Sequence, residues 1–270
     1  MREYPKIQSI YKREEEKPHK FIEGQWSLPE FEYLANNQWQ WTEKIDGTNI
    51  RVLWIPNESF TQSKYWYVAG FDLLDKPWGV AFKGKTDNAD IPKFLLTKLQ
   101  EMFTVEKLVE VFPNTPLCLY GEGYGARIQK GGGNYIPKGV SFILFDAWIK
   151  EWWLKRVDVE DISKELGIDV VPIKMYGTIH EAINLVRDGY KSQWGDFLAE
   201  GLVGKPIVEL KNRKGERILT KLKTKDFFYS EKSNKIKIVS GRCSLWEKCD
   251  NAGTITCYKA VTTDCFEEMI

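Results

Sequence analysis

Seven short stretches of this chain, 38–42, 49–55, 65–70, 117–120, 140–148, 202–210 and 218–223, are rich in β-branched and aromatic residues and bounded by Gly, Asn or Pro. They read as strands. Three longer segments, 91–111, 159–166 and 178–188, instead repeat apolar residues at i, i+3 and i+4, with Thr104 and Thr178 as N-caps. The two patterns mix without the strict strand–helix alternation of a doubly wound parallel sheet. The expected fold class is therefore α+β, with mostly antiparallel sheets flanked by helices. The segment 211–217 carries Asn, Lys and Gly between two strands and reads as a hairpin turn. Periodicity fades near residue 228. The expected organisation is one domain over 1–228 and a short appendage over 229–270.

Composition narrows the function classes. A hydrophobic fraction of 43% with 29% charged residues excludes disordered and collagen-like chains. The longest apolar run, around 140–149, is interrupted by Asp146 and falls short of the ~20 residues a membrane span needs. The opening MREYPKIQSIYKREEEK has no hydrophobic signal core, so a cytoplasmic protein without membrane contact is expected. A net charge of +1 excludes a globally basic nucleic-acid binder. The charge is uneven, however: residues 201–240 hold eleven Lys and Arg against four Asp and Glu. Such a segment is either a solvated strand pair or a phosphate-facing surface. The 11 Trp can fill a core or stack on bases. Cys118 sits alone in an apolar run and reads as core, while Cys243, Cys249, Cys257 and Cys265 lack the close pairs of a zinc ribbon. His19 and His180 are too far apart for a histidine-based metal site, and His180 falls inside a capping box, Thr178-x-x-Glu181.

Five segments carry residues of chemical interest, each beside an expected strand. Glu43-Lys44-Ile45-Asp46-Gly47-Thr48-Asn49 follows WQWT. Alone it reads more readily as a surface turn, because Asp-Gly is a common hairpin signal. Tyr120-Gly121-Glu122-Gly123-Tyr124-Gly125 has the look of a phosphate-cradling loop, without P-loop spacing. Phe142–Asp146 is an apolar strand ending in a carboxylate, with Phe145 by default in the core. Glu200-Gly201-Leu202-Val203-Gly204-Lys205 is the fourth segment. Lys221-Leu222-Lys223-Thr224-Lys225 is the fifth, and there Lys221 and Lys223 share one strand face. That face is either an exposed edge guarded by lysines or an anion site.

In this order the five segments resemble the motif series of the covalent nucleotidyltransferase superfamily, which comprises polynucleotide ligases and mRNA capping enzymes. The details are most similar to the phage-type RNA ligases of the RNA ligase 2 family. They include Asn49 where capping enzymes carry Arg, Gly84-Lys85-Thr86-Asp87, Ile128-Gln129-Lys130, Phe145-Asp146 and Lys221-x-Lys223-x-Lys225-x-Phe227. This chain departs from the family in having Lys85 where Arg is commoner, an extra Gly131-Gly132-Gly133 run, and little sequence after the last motif. The resemblance implies an ATP-grasp-like nucleotidyltransferase domain and an ATP-dependent ligase, expected to be a monomer. It would join the 3′-OH and 5′-phosphate ends of RNA, a nicked duplex among them, in the cytoplasm of a cell or of a phage-infected host.

The same resemblance assigns the residues. Lys44 is the nucleophile that takes AMP from ATP. Its amine, with a free pKa of ~10.4, must lose its proton to attack, which burial and the neighbouring cations Lys205, Lys221 and Lys223 would favour. The nucleotide would be contacted by Glu43, Lys44, Ile45, Asn49, Glu122, Phe145, Glu200, Lys221 and Lys223. Within that set Glu122 faces the ribose, Phe145 stacks on adenine and Glu200 holds Mg²⁺. Asn49 and Lys85 belong to the nucleic-acid side, and the basic stretch 205–237 would line the groove for the strand backbone. A compact DNA ligase, a guanylyltransferase and a non-catalytic RNA-binding relative are the alternatives.

Overall fold

Two mainly antiparallel sheets account for most of the strands, and the chain crosses between them at Lys44–Gly47. The five-stranded sheet runs in the order β1 (Gln8–Ser9), β14 (Thr220–Lys223), β13 (Gly201–Pro206), β4 (Trp39–Glu43), β12 (Ile173–Gly177). Only β1 and β14 pair in parallel in that sheet. The seven-stranded sheet runs β10 (Trp152–Trp153), β9 (Val140–Ile149), β8 (Leu117–Gly125), β5 (Thr48–Pro56), β7 (Lys76–Lys83), β6 (Tyr67–Leu73), with β11 (Asp169–Val170) parallel to β9. A small ribbon pairs β2 (Tyr11–Arg13) with β3 (Phe21–Trp26). The computed structural model describes residues 3–16, 21–56, 67–73 and 76–227, of which those up to Phe227 group as one unit. The expected appendage at 229–270, with its four cysteines, lies outside the described residues.

Strand pleating sorts the side chains. On β5, Ile50, Val52 and Trp54 point to a core built with α2 (Lys93–Met102), α3 (Val105–Val111) and α5 (Arg156–Leu166). Leu53 faces the other way, against Ala81, Cys118 and Tyr120. On the five-stranded sheet, Trp39, Trp41, Leu202 and Leu222 pack on α6 (Ile179–Asp188), through Ile179, Ala182, Ile183 and Val186. The opposite face carries Gln40, Thr42, Val203 and Lys205, and those four line a cleft. Two further short helices are α1 (Pro29–Tyr33) and α4 (Gly132–Tyr135), and residues 224–227 form one more helical turn.

The structure has the expected α+β class with mostly antiparallel sheets. It also corrects several local expectations. The segment 91–111 is two helices: Phe103 ends α2 by turning its ring into the core 5.2 Å from Phe142, and Thr104 caps α3 by accepting from the Lys107 N–H. The glycine-rich 121–125 is no loop, since it continues β8 and pairs with both β5 and β9. The paired β14 lies between β1 and β13 and is not an edge strand. Thr178 does form the capping box with Glu181. No helix among the described residues is long and apolar enough to cross a membrane.

Close packing behind the cleft fixes one residue by its lack of a side chain. A Cβ on Gly204 would drive into the Trp41 ring on the neighbouring strand. Trp41 is fully buried, stacked 5.7 Å from Trp39, and its indole N–H donates to the Gly177 carbonyl, so it cannot yield. Gly204→Ala is expected to lower the unfolding free energy by about 1–3 kcal/mol, read as a shifted urea midpoint.

Candidate active site

Lys44 stands where the chain leaves one sheet for the other. It continues the face of β4 that carries Gln40 and Thr42. Its backbone N–H donates to the Gly201 carbonyl at 2.8 Å, and the Tyr190 hydroxyl donates to the same oxygen at 2.5 Å. The rest of the turn is held from the connection between β8 and β9. The Asp46 N–H donates to the Tyr135 hydroxyl oxygen at 3.2 Å, and the Gln129 amide donates to the Gly47 carbonyl at 3.0 Å. A Cβ at Gly47 would collide with the Gly123 carbonyl and stand 2.7 Å from Glu122 Cγ. Asp46-Gly47 is therefore a tightly docked inter-sheet link and not a surface hairpin.

Charge is concentrated around this link. The Lys44 ammonium lies 2.7 Å from one oxygen of Glu200, and Lys223 lies 3.0 Å from the other. Lys221 and Lys223 do share a face of β14, with Leu222 buried on the reverse. Burial pushes the Lys221 pKa down to about 8, helped by Lys223, Lys44, Lys85 and Arg13. Cations so crowded that one loses affinity for its proton mark a place prepared for an anion. Glu122 shows the converse. Burial lifts its pKa to about 8, Lys44 opposes the shift, and Glu200 and Asp46 add to it. Burial, and then Glu200, raise Asp46 as well.

Of the remaining expected residues, all but Lys85 line the same cleft, in different states. Asn49 lines it, and its Oδ1 is buried without a hydrogen-bond partner, an acceptor left for something else. Phe145 is half-buried in the cleft wall, its ring edge-on to Tyr4 at 5.0 Å. Lys205 lines the cleft opposite Gln40 in register. Ile45 is buried against Tyr124, Tyr135, Ile143 and Val171. The Glu43 carboxylate is already committed, accepting from the Ser192 hydroxyl at 2.5 Å and the Gln193 N–H at 3.1 Å. Lys85 sits exposed on the turn after β7.

Sequence reasoning missed a buried network at one end of the cleft. Arg217, within the segment read as a basic hairpin, places its guanidinium 2.6 Å from Asp146, with both side chains almost fully buried. It also pairs with Glu209 at 2.9 Å and lies 4.2 Å from the centroid of Trp153. Tyr4 donates to the same Asp146 oxygen at 2.9 Å and lines the cleft. Arg217 thus faces no strand backbone, which corrects its place in the expected basic groove. Residues 228–237 of that stretch lie outside the described residues. No linear pattern signals these contacts, since Tyr4 and Asp146 are 142 positions apart.

A lysine between two sheets, a cation cluster beside it and an aromatic-walled cleft define a nucleotidyltransferase type of site. The model of the RNA ligase family matches residues 37–223, and the chain belongs to that family. Direct comparison with curated proteins gives no match. Among solved structures, the chain is similar to an apo mutant of the Naegleria gruberi RNA ligase, at 18% identity and a TM-score of 0.53, over 85% of this chain and 59% of that one. A second mutant of that ligase, with ATP and Mn, aligns at 19% identity and a TM-score of 0.51 over 76% and 54%. The same ligase with PPi aligns at 18% and 0.52 over 85% and 60%. At these identities the likeness speaks to the fold, and the chain spans between 54% and 60% of the length of these ligases.

The raised Glu122 pKa has a thermodynamic consequence. The folded protein holds this proton more tightly than the unfolded chain, whose carboxyl titrates near 4.5. The favourable contribution is complete below that value and is lost as pH rises towards 8. Between about pH 5 and pH 8, the wild-type urea midpoint should therefore fall more than that of Glu122→Gln. Identical profiles would assign the titration to another group.

Proposed function

We propose that this chain is an ATP-dependent RNA ligase that joins 3′-OH and 5′-phosphate ends through a lysyl-AMP intermediate on Lys44. The observation that carries the reading is the placement of Lys44 at the inter-sheet link, beside Glu200, Lys223 and Lys221 and at the edge of the aromatic-walled cleft. That the similar Naegleria ligase has been solved with ATP and Mn, and with PPi, supports a nucleotide as the occupant.

The residues fit ATP. The unpartnered Asn49 Oδ1 offers an acceptor, Phe145 and Val171 offer apolar surface to a flat base, and Glu122 offers oxygen to ribose hydroxyls. Lys221 and Lys223 supply fixed positive charge for the phosphates. The divalent ion fits differently. Among the described residues no group of three or more His, Cys, Asp and Glu could hold a metal. Glu200 is the carboxylate that we assign to one, and with so few protein oxygens the ion would keep several waters. When bound, Mg²⁺ would neutralise charge on the transferring phosphate.

Three transfers follow, and each conserves atoms. The Lys44 amine, freed from Glu200 and a proton, attacks the α-phosphorus. A P–N bond forms and the bond to the pyrophosphate oxygen breaks. A 5′-phosphate oxygen of an RNA strand then attacks the same phosphorus, forming a P–O–P linkage and returning the amine. Finally a 3′-hydroxyl attacks the strand phosphate, releasing AMP and its own proton. Lys221 and Lys223 stabilise the developing negative charge, and loss of either should slow adduct formation on the order of 10²-fold.

Incubation with labelled ATP tests the reading. A protein-bound label should appear, vanish in mild acid and survive alkali, as a phosphoramidate does. Lys44→Ala and Lys44→Arg should both abolish it, since a guanidinium keeps its proton. Lys44→Ala should still join pre-adenylated RNA, which bypasses the amine. Matched RNA and DNA ends then report the preferred strand, because a 2′-OH contact is what separates them. A label that appears with GTP alone, or that maps to another lysine, would overturn the proposal.

A further inference from the structure

The turn that carries Lys85 is gripped from inside the seven-stranded sheet by a residue outside every motif. Arg51, on β5, has no solvent exposure. Its Nε donates to the Gly84 carbonyl at 2.9 Å, and its Nη2 lies 2.8 Å from Asp87 Oδ1. Lys83, in register with Arg51 on β7 and itself buried, reaches the same Asp87 oxygen at 3.0 Å. The Asp87 N–H donates to Glu3 at 3.1 Å. Gly84 and Asp87, the residues before and after Lys85-Thr86, are thus both fixed to one guanidinium.

The expense of this arrangement argues that it has a use. Arg51 and Lys83 are both buried, and the Asp87 carboxylate that they share is itself 57% exposed. An apolar pair in the same place would avoid the desolvation of two charges. A short turn after a strand needs no buried arginine to close. What the clamp gives is one fixed position for the two residues between its anchors, Lys85 and Thr86, and the first is a lysine whose charge Lys221 feels.

We propose that Arg51 and Asp87 are positioning residues that hold Lys85 where it meets a phosphate of the RNA strand. The inference rests on the ligase reading and deepens it. Arg51 touches neither nucleotide nor RNA, and acts through the Gly84–Asp87 turn. A lysine on a free turn would lose rotational and backbone freedom on binding, whereas the clamped turn has lost part of it on folding.

The test separates the clamp from ordinary stability. Wild type, Asp87→Asn, Lys85→Ala and the double variant are compared in joining pre-adenylated RNA over a range of salt, with labelled-ATP adduct formation measured in parallel. Asp87→Asn should form the adduct at the wild-type rate yet join RNA about tenfold more slowly, the scale of one lost charge-assisted contact. Its log–log salt dependence of RNA affinity should become shallower by about 0.7, as expected for one phosphate contact on a single strand. The double variant should be no slower than Lys85→Ala, because both changes remove the same contact. Arg51→Lys, which keeps the charge and loses the fork, should behave as Asp87→Asn does. Wild-type joining by Asp87→Asn, losses that multiply in the double variant, or loss of the adduct in both clamp variants would each overturn the positioning role. A wild-type chain that neither forms the adduct nor joins RNA would instead reject the ligase reading, and the clamp's role with it.

Discussion

The two sheets are tied together at one end of the cleft by a guanidinium and a carboxylate that are both almost out of water. Arg217 lies just before β14 and Asp146 lies on β9, so their 2.6 Å ion pair spans the gap the cleft occupies. Such a pair is costly to form, because both charges are stripped of water, but far costlier to break on one side only. The surroundings offset the cost. Glu209 adds a second carboxylate, Trp153 presents its ring face, and the Tyr4 hydroxyl donates to Asp146. Burial and Asp146 raise the Tyr4 pKa well above its ordinary value, so the phenol keeps its proton and remains a donor. Phe145, next to Asp146 in sequence and packed on Tyr4, takes its position in the cleft wall from this network.

The opposite end of the cleft follows another charge logic. There the carboxylate of Glu200 is shared by Lys44 and Lys223, while Lys221 has none of its own among the described ion pairs. Glu122, with a pKa of about 8, contributes little negative charge at neutral pH. The balance is a local excess of cation in a partly buried place, which a polyphosphate would relieve. One end of the cleft is aromatic, with its charges paired to one another, and the other is positive and hydrogen-bonding. A nucleotide has the same division along its length.

How much of this could be read from the chain depended on whether the signal was local. Strand alternation put Lys221 and Lys223 on one face, and the structure agrees because period 2 is a property of the strand itself. The α6 cap at Thr178 was legible for the same reason. The β8 glycines misled, since glycine ordinarily weakens a strand. Here Gly121 lets the Phe142 ring lie against the backbone and Gly123 makes room for Leu95, so their lack of side chains is what allows the sheet to pack. The strand β7 escaped notice because Pro77 and Gly79 interrupt it. Glu43 and Ser192 are 149 residues apart, and the Arg217 pair with Asp146 joins the segment before β14 to a strand of the other sheet. Only tertiary structure brings such groups together. The motif order singled out residues that the fold gathers around one cleft, and the fold supplied the partners of each residue.

What the backbone holds still and what it leaves free is also divided. The Lys44–Gly47 link is fixed at three carbonyl or hydroxyl oxygens, those of Gly201, Gly47 and Tyr135, and by the close approach of Gly47 to β8. Behind it, Trp39 and Trp41 form a stacked pair that backs β4. Against this rigid frame the Lys44 side chain is held by Glu200 and by a longer contact, 3.5 Å, to the Ile45 carbonyl. In the proposed reaction, attack on a phosphate would need the amine to leave the carboxylate while its Cα stays in place. A fixed backbone with an exchangeable ion pair meets both demands, because reorganisation is confined to one side chain. Glu200 is itself fixed by its backbone, whose carbonyl accepts from the Thr224 N–H at 2.9 Å, so its carboxylate can turn to a new partner without moving β13.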